Sequence, residues 1–264
     1  MPRAKRRLAQ HFLSDPRILQ RIADALGATR DDTVLEIGPG PGALTEALAA
    51  RAGRLVAIEK DAELVPALRQ RVPAATIVEA DALEADWHAI AGPRFLVAGN
   101  IPYNITSPLI DRALKPPRPP RIVFLVQKEV ADRVSAAPGS EAYGALTVGV
   151  QAVARAERLF TVPAGAFRPR PLVDSAVLRL TPLGEPVVSD AEVEPFRRLV
   201  VGLFGFRRKQ MVRALRELTG WSAETVGDAL GRADIDPQVR PETVSPVRFA
   251  LLLRALVDGG WQAR

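Results

Sequence analysis

Four consecutive residues in the middle of the chain, Asn100-Ile101-Pro102-Tyr103, carry groups in an order suited to chemistry on an amine. An exocyclic amine conjugated with a purine ring is a poor nucleophile, because its lone pair is delocalised into the ring. Two acceptors, the Asn100 side-chain oxygen and a backbone carbonyl such as that of Ile101, can hold its two N–H bonds and favour a pyramidal nitrogen. Pro102 fixes the backbone so that the carbonyl points inward, and Tyr103 presents a face on which a base stacks. Asn and Pro are also ordinary turn formers, so the tetrad gains its meaning from what precedes it.

Upstream, Gly38-Pro39-Gly40-Pro41-Gly42 follows a short apolar run and opens a helical pattern, the context of a nucleotide-type cofactor site. Nicotinamide and adenosylmethionine cofactors are both candidates at this point, and two details favour the second. Glu36 precedes the turn, and Pro41 lacks the backbone N–H that a pyrophosphate would use. S-adenosylmethionine has no phosphate; it has an ammonium, a sulfonium and a ribose, so nearby acids help. Glu59 ends the next strand, where a carboxylate can take hydrogen bonds from ribose hydroxyls, and Asp81 ends the one after it, within reach of the cofactor's adenine amine.

Composition removes several other chemistries. The chain has 264 residues, no Cys and two His, His11 and His88, so thiolate nucleophiles, cysteine metal sites and a histidine-rich metal centre are not expected. Methyl transfer from a sulfonium needs neither a metal nor a general base of shifted pKa, and fits this inventory. The net charge is +6, which suits a polyanionic partner. No apolar run reaches the length of a bilayer span, and the basic start, with Arg3, Lys5, Arg6 and Arg7, leads into no signal-peptide core, so a cytoplasmic protein is expected.

These residues need elements to hold them. A helix over 16–27 precedes apolar strands over 33–37, 54–59, 75–79, 94–98 and 121–126, with helices over 43–52, 62–71 and 108–114 between them. Such alternation predicts a mostly parallel sheet with helices on both faces. Residues 148–160 and 175–180 read as two longer strands forming an antiparallel pair at its edge. A Pro-rich linker over 181–190 leads to four helical patterns, over 195–204, 209–218, 223–230 and 246–256. The expected domains are a catalytic α/β domain over 1–183 and a small all-α domain over 191–264.

At this point the sequence resembles a family over nearly its whole length: the ribosomal RNA adenine N6-dimethyltransferases of the small subunit, the KsgA type. The resemblance rests on Gln10–Asp15 (QHFLSD), the Glu36–Gly42 loop with Leu44-Thr45, the acids Glu59 and Asp81, and the NIPYNITSP segment starting at Asn100. It extends through Gln127-Lys128-Glu129-Val130, Tyr143-Gly144-Ala145-Leu146, the segment 167–177 (FRPRPLVDSAV) and Phe206-Arg207-Arg208-Lys209. It implies a Rossmann-like S-adenosylmethionine-dependent methyltransferase fold and two methyl transfers to each of two adjacent adenosines near the 3′ end of small-subunit (16S) rRNA, linked to small-subunit assembly. Carried over by position, His11, Leu13, Gly38, Glu59, Asp81 and Asn100 would contact the cofactor. Asn100, Pro102 and Tyr103 would meet the target base, with Phe167 closing on its other face.

The protein would act as a monomer on rRNA in the immature 30S subunit, with no metal and no membrane. A flipped adenosine requires a grip on the surrounding RNA. The candidates are Arg3, Lys5, Arg6 and Arg7, then Arg168 and Arg170, then Arg207, Arg208 and Lys209. The chain departs from the family pattern at Ala9, at His11 in place of a common Asn, and at Arg170 and Leu172, which interrupt a triple proline and replace a following Lys. Two alternatives stand beside this reading: a large-subunit (23S) adenine dimethyltransferase of the macrolide-resistance type, and a non-catalytic RNA-binding assembly factor.

Overall fold

A computed structural model describes residues 10–262. The short strand β1 (Phe12–Leu13) leads into helix α1 (Pro16–Leu26). Asp15 caps that helix, accepting from the Arg17 and Ile18 amides, Pro16 starts it, and Gly27 ends it in the left-handed region at φ 64°. Leu19, Ile22, Ala23 and Leu26 form its buried face.

Strands and helices then alternate: β2 (Thr33–Ile37), α2 (Ala43–Ala49), β3 (Arg54–Glu59), α3 (Val65–Arg71), β4 (Ala75–Glu79), α4 (Trp87–Ala91), β5 (Leu96–Asn100), α5 (Thr106–Ala113) and β6 (Ile122–Gln127). There follow α6 (Lys128–Val134), α7 (Ala145–Gln151), β7 (Ala154–Val162), β8 (Phe167–Arg168) and β9 (Ser175–Pro182). The main sheet has seven strands in the order β4-β3-β2-β5-β6-β9-β7, while β1 and β8 pair apart from it. Strands β4 to β6 are parallel, and β9 runs antiparallel to β6. The chain winds outward from β2 through β3 to β4, then returns to the other side of β2 as β5. The carboxyl ends of β2 and β5 thus form the switch point where such sheets bind ligands. Their close pairing there constrains sequence: a Cβ on Gly99 would lie 2.5 Å from the Ile37 carbonyl oxygen.

By internal contacts the chain divides into two units, one of residues up to Ala131 with Ala156–Pro182, the other of Asp132–Arg155 with Leu183–Arg264. The second contains α7, α8 (Val193–Gly205), α9 (Met211–Thr219), α10 (Ala223–Arg232) and α11 (Pro246–Asp258). Its interior is built from Phe196, Leu199, Leu203, Met211, Leu215, Leu230, Phe249 and Leu253. Sequence patterning places one break in the 181–190 linker, whereas this division also moves 132–155 into the helical unit.

Part of that segment differs from the sequence expectation. Residues 148–160 read as one strand, but their first third is helical, within α7, and the strand begins at Ala154. The β-branched residues suggested a strand, yet Thr147 Oγ1 accepts from the Gly144 amide at 3.1 Å and donates to the Arg133 carbonyl at 2.6 Å, closing a helix start. Tertiary packing of α7 on α8 then overrides local propensity. The fourth predicted strand, over 94–98 with its end at Asn100, starts two residues later than expected: β5 covers Leu96–Asn100 and has Asn100 as its tip. Among the described residues no helix is long and apolar enough to cross a membrane.

Candidate active site

The tips of β2, β3 and β5 and the loop after β4 surround a cavity of about 200 Å³. Asn100 occupies its edge as the last residue of β5, where its Nδ2 donates to the His11 carbonyl at 2.8 Å. That bond fixes the amide. Oδ1, at the opposite end, has no partner among the described residues and is available as an acceptor. Tyr103 opens the turn before α5, and its half-buried hydroxyl shares a 2.7 Å hydrogen bond with Ser175 Oγ from β9. Burial pushes the phenol pKa up, so it stays protonated. The His11 ring stacks on Tyr103 with centroids 5.5 Å apart and an interplanar angle of 27°. His11 Nδ1 donates to the Pro169 carbonyl at 2.8 Å. Three chain segments distant in sequence therefore hold one aromatic wall and one amide.

The other side of the cavity is acidic. Glu59 Oε2 accepts from the Gly40 amide at 3.0 Å and Oε1 from the Asp61 amide at 2.7 Å, so the carboxylate braces the glycine turn. Gly40 has φ 56°, and a Cβ there would lie 3.1 Å from the Phe12 ring, which explains the residue type twice over. Burial raises the Glu59 pKa, opposed by those amide bonds. Asp81 has the reverse environment: Lys60 Nζ lies 2.5 Å from Oδ2, the Leu83 amide donates to Oδ1 at 2.9 Å, and the Lys60 bond holds its pKa below the usual range. Glu36 is 1% exposed and its Oε2 has no hydrogen-bond partner. Burial pushes its pKa up to about 8, opposed by the nearby Thr45 hydroxyl and aided by the Glu59 charge.

A buried carboxyl oxygen left without a partner at a cavity wall is costly unless a donor arrives. An ammonium-bearing ligand supplies one, so the donor set fits the cofactor expected from sequence. Among the described residues no cluster of His, Cys, Asp or Glu could hold a metal ion.

The sequence profile of the ribosomal RNA adenine dimethylase family matches residues 1–237. The chain belongs to that family. The protein named ribosomal RNA small subunit methyltransferase A of Geobacter metallireducens is 44% identical, covering 98% of this chain and 97% of its own. Its namesake in Geobacillus thermodenitrificans is 42% identical over 96% of this chain and 91% of its own. A crystal structure of a dimethyladenosine transferase from Plasmodium falciparum superposes with a TM-score of 0.85 at 25% identity, covering 96% of this chain and all of that one (100%). That of the 23S rRNA methyltransferase ErmE gives 0.73 at 30% identity, covering 93% and 99%. The protein is thus an RNA-modifying methyltransferase of this dimethylase family, with its Rossmann-like sheet, antiparallel edge pair and helical C-terminal region.

Within this dimethylase, His11, Leu13, Gly38, Glu59, Asp81, Asn100, Pro102 and Tyr103 all line the one cavity. Phe167 does not: it is fully buried in β8, paired with Leu13 of β1 and packed into the hydrophobic core. In this structure it supports the strand that carries the cavity wall and meets no cavity space, because its side chain faces inward from the β1–β8 ladder.

The basic residues separate as well. Arg168, the last residue of β8, and Arg170, on the loop after it, are exposed, with Arg168 turned back onto the Gly165 and Phe167 carbonyls at 3.2 and 3.0 Å. Arg207 binds Glu242 at 2.5 Å and the Glu141 carbonyl at 2.8 Å. Lys209 pairs with Glu217 and sits over the Phe206 ring. Arg208 alone of the three is exposed without a partner among the described residues. Arg3, Lys5, Arg6, Arg7 and Ala9 lie outside the described residues.

Sequence reading missed Lys60, which follows Glu59 directly and was findable by adjacency to the strand tip. It missed Ser175 because that residue reaches Tyr103 across 72 positions, with no local signal.

Proposed function

We propose that this chain is the S-adenosylmethionine-dependent adenine N6-dimethyltransferase of small-subunit rRNA, acting on two adjacent adenosines near the 3′ end of 16S rRNA in the cytoplasm during subunit assembly. The observation that carries this reading is the Asn100 amide, locked through Nδ2 with Oδ1 left to accept beside the Tyr103 ring. The small-subunit choice is supported by the named relatives at 44% and 42% identity, against 30% for ErmE.

When bound, the cofactor supplies an electrophilic methyl group on a sulfonium. Glu59 would bind its ribose hydroxyls with the acceptor capacity left beyond Gly40 and Asp61, and ionised Asp81 would accept from its adenine amine. Glu36 would face its ammonium, while His11, Leu13 and Gly38 enclose it. For the substrate, Asn100 Oδ1 and the Ile101 carbonyl hold the two N6–H bonds, and the Tyr103 ring stacks on the flipped base. Held in that way, N6 would keep its lone pair out of conjugation and free to take a methyl group, and the alkylated nitrogen, now acidic, would give up its proton to water. Arg168, Arg170 and Arg208 would meet phosphates, while Arg207 has a structural duty first.

Purified small and large subunits lacking the modification, incubated with labelled methyl donor, test the assignment. Label confined to the small subunit, with mass spectrometry locating N6,N6-dimethyladenosine near the rRNA 3′ end, is the expected result. Label on the large subunit would transfer the protein to the 23S class, and no label on either would leave an RNA-binding factor.

A further inference from the structure

The segment after β8 holds a feature that the proposed mechanism does not use. Leu172 is 102% exposed and Val173 is 46% exposed, although the loop that carries them is anchored on both sides. On one side the Pro169 carbonyl receives the His11 Nδ1 proton at 2.8 Å; on the other Ser175 Oγ shares its hydrogen bond with the Tyr103 hydroxyl at 2.7 Å. Asp174 adds two ties, accepting from the Ala164 amide at 2.9 Å and, through its carbonyl, from the Lys128 amide at 3.0 Å. Leu172 stands three residues from either anchor. At about 3.8 Å per Cα step its backbone is within about 11 Å of both. The loop therefore bridges the two rings that stack at the cavity edge, and the leucine projects from its apex into water.

Single exposed apolar side chains are common on protein surfaces and usually mean nothing. This one is held out by a restrained loop tied to two rings that line the cavity, His11 and Tyr103, and its neighbours Arg168 and Arg170 are exposed cations that attract phosphate. Extruding a base leaves a gap in the stack, and apolar side chains inserted between bases offset the cost of unstacking. We propose that Leu172 is a wedge that enters the rRNA stack next to the target adenosine and holds that adenosine in the extruded state. The wedge is a positioning residue: it touches RNA beside the reacting base and leaves the transfer itself to Asn100 and Tyr103. The inference rests on the functional reading above and deepens it.

The test compares wild type, Leu172→Ala and Leu172→Met on small subunits that lack the modification. Three quantities are measured: kcat/KM for methyl transfer, cofactor affinity by equilibrium dialysis, and chemical reactivity of the target and flanking nucleotides in the bound complex. Removing the wedge should lower kcat/KM about tenfold and suppress the reactivity that marks the extruded adenosine, with cofactor affinity unchanged. Methionine, long and apolar, should restore both. An alanine variant within twofold of wild type in rate and reactivity overturns the wedge, as does a methionine variant as poor as alanine. Loss of rate with unchanged nucleotide reactivity also overturns it, because the side chain would then contact a ribosomal protein. Failure of wild type to methylate small subunits is a separate result, and strikes the functional reading itself.

Discussion

The carboxyl edge of the sheet and the basic segment at 207–209 are both dense in polar groups, yet the fold treats them oppositely. At the sheet edge these side chains are fixed by protein partners and keep capacity for a ligand: Asn100 donates to His11 and leaves Oδ1, and Glu59 braces two amides with lone pairs to spare. In the basic segment the charges are mostly committed inside the protein, Arg207 to Glu242 and the Glu141 carbonyl, Lys209 to Glu217. A site needs groups that are oriented and incompletely satisfied. Charge density alone does not make one.

The largest effect should come from the edge. Asn100→Ala should lower methyl transfer by about a thousandfold or more while rRNA binding in a filter assay stays near wild type. Retained turnover would break the contrast, since the fixed acceptor would then be dispensable. In the basic segment the two neighbouring arginines should separate. Arg208→Glu should weaken rRNA binding about tenfold and flatten its salt dependence by about one unit of slope, with little change in melting temperature. Arg207→Ala should cost about 1 kcal/mol of stability in denaturant melts. Equal binding losses from both would mean that internal pairing does not withhold a cation from RNA.

A pH experiment sharpens the comparison from the acidic side. The Glu36 pKa stands at about 8 in the folded protein against 4.5 for a free carboxyl. A raised acid pKa means that the folded state binds the extra proton. The resulting stability is full below pH 4.5 and is lost as pH rises through about 8. Ligand-free protein should therefore melt at a lower temperature at pH 8.5 than at pH 5.5, and Glu36→Gln should reduce that difference. Glu59 shifts in the same direction and leaves a residual slope. The smallest effect belongs to the ring's support: Ser175→Ala should slow transfer only a few-fold, read as kcat with KM for the cofactor unchanged, because stacking on His11 still orients Tyr103.

Much of the site was legible because its residues sit at element boundaries. Gly38, Glu59, Asp81 and Asn100 each follow or end a strand in a parallel sheet, and such tips converge on one edge wherever the strands alternate with helices. Other features were not legible, for definite reasons. The strand β1 is two residues long and pairs with β8 far along the chain, a pairing no local period announces. Phe167 was expected at the cavity, but that same pairing turns it into the core. Residues 148–151 of helix α7 read as strand from Val148 and Val150, whereas the cap supplied by Thr147 and Gly144 starts a helix.

The sequence by itself determined the type of sheet, the order of its glycine turn and acids, and the amide–proline–aromatic tip, because periodicity and local backbone restrictions act over a few residues. Only the tertiary structure decided which polar groups keep a free valence. It gave Asn100 a backbone partner from residue 11 and Arg207 a carboxylate from residue 242, and it left Glu36 buried with one oxygen unpaired. Hydrogen-bond satisfaction depends on whichever distant segments the fold brings within about 3 Å, and that distance is not written in the order of residues.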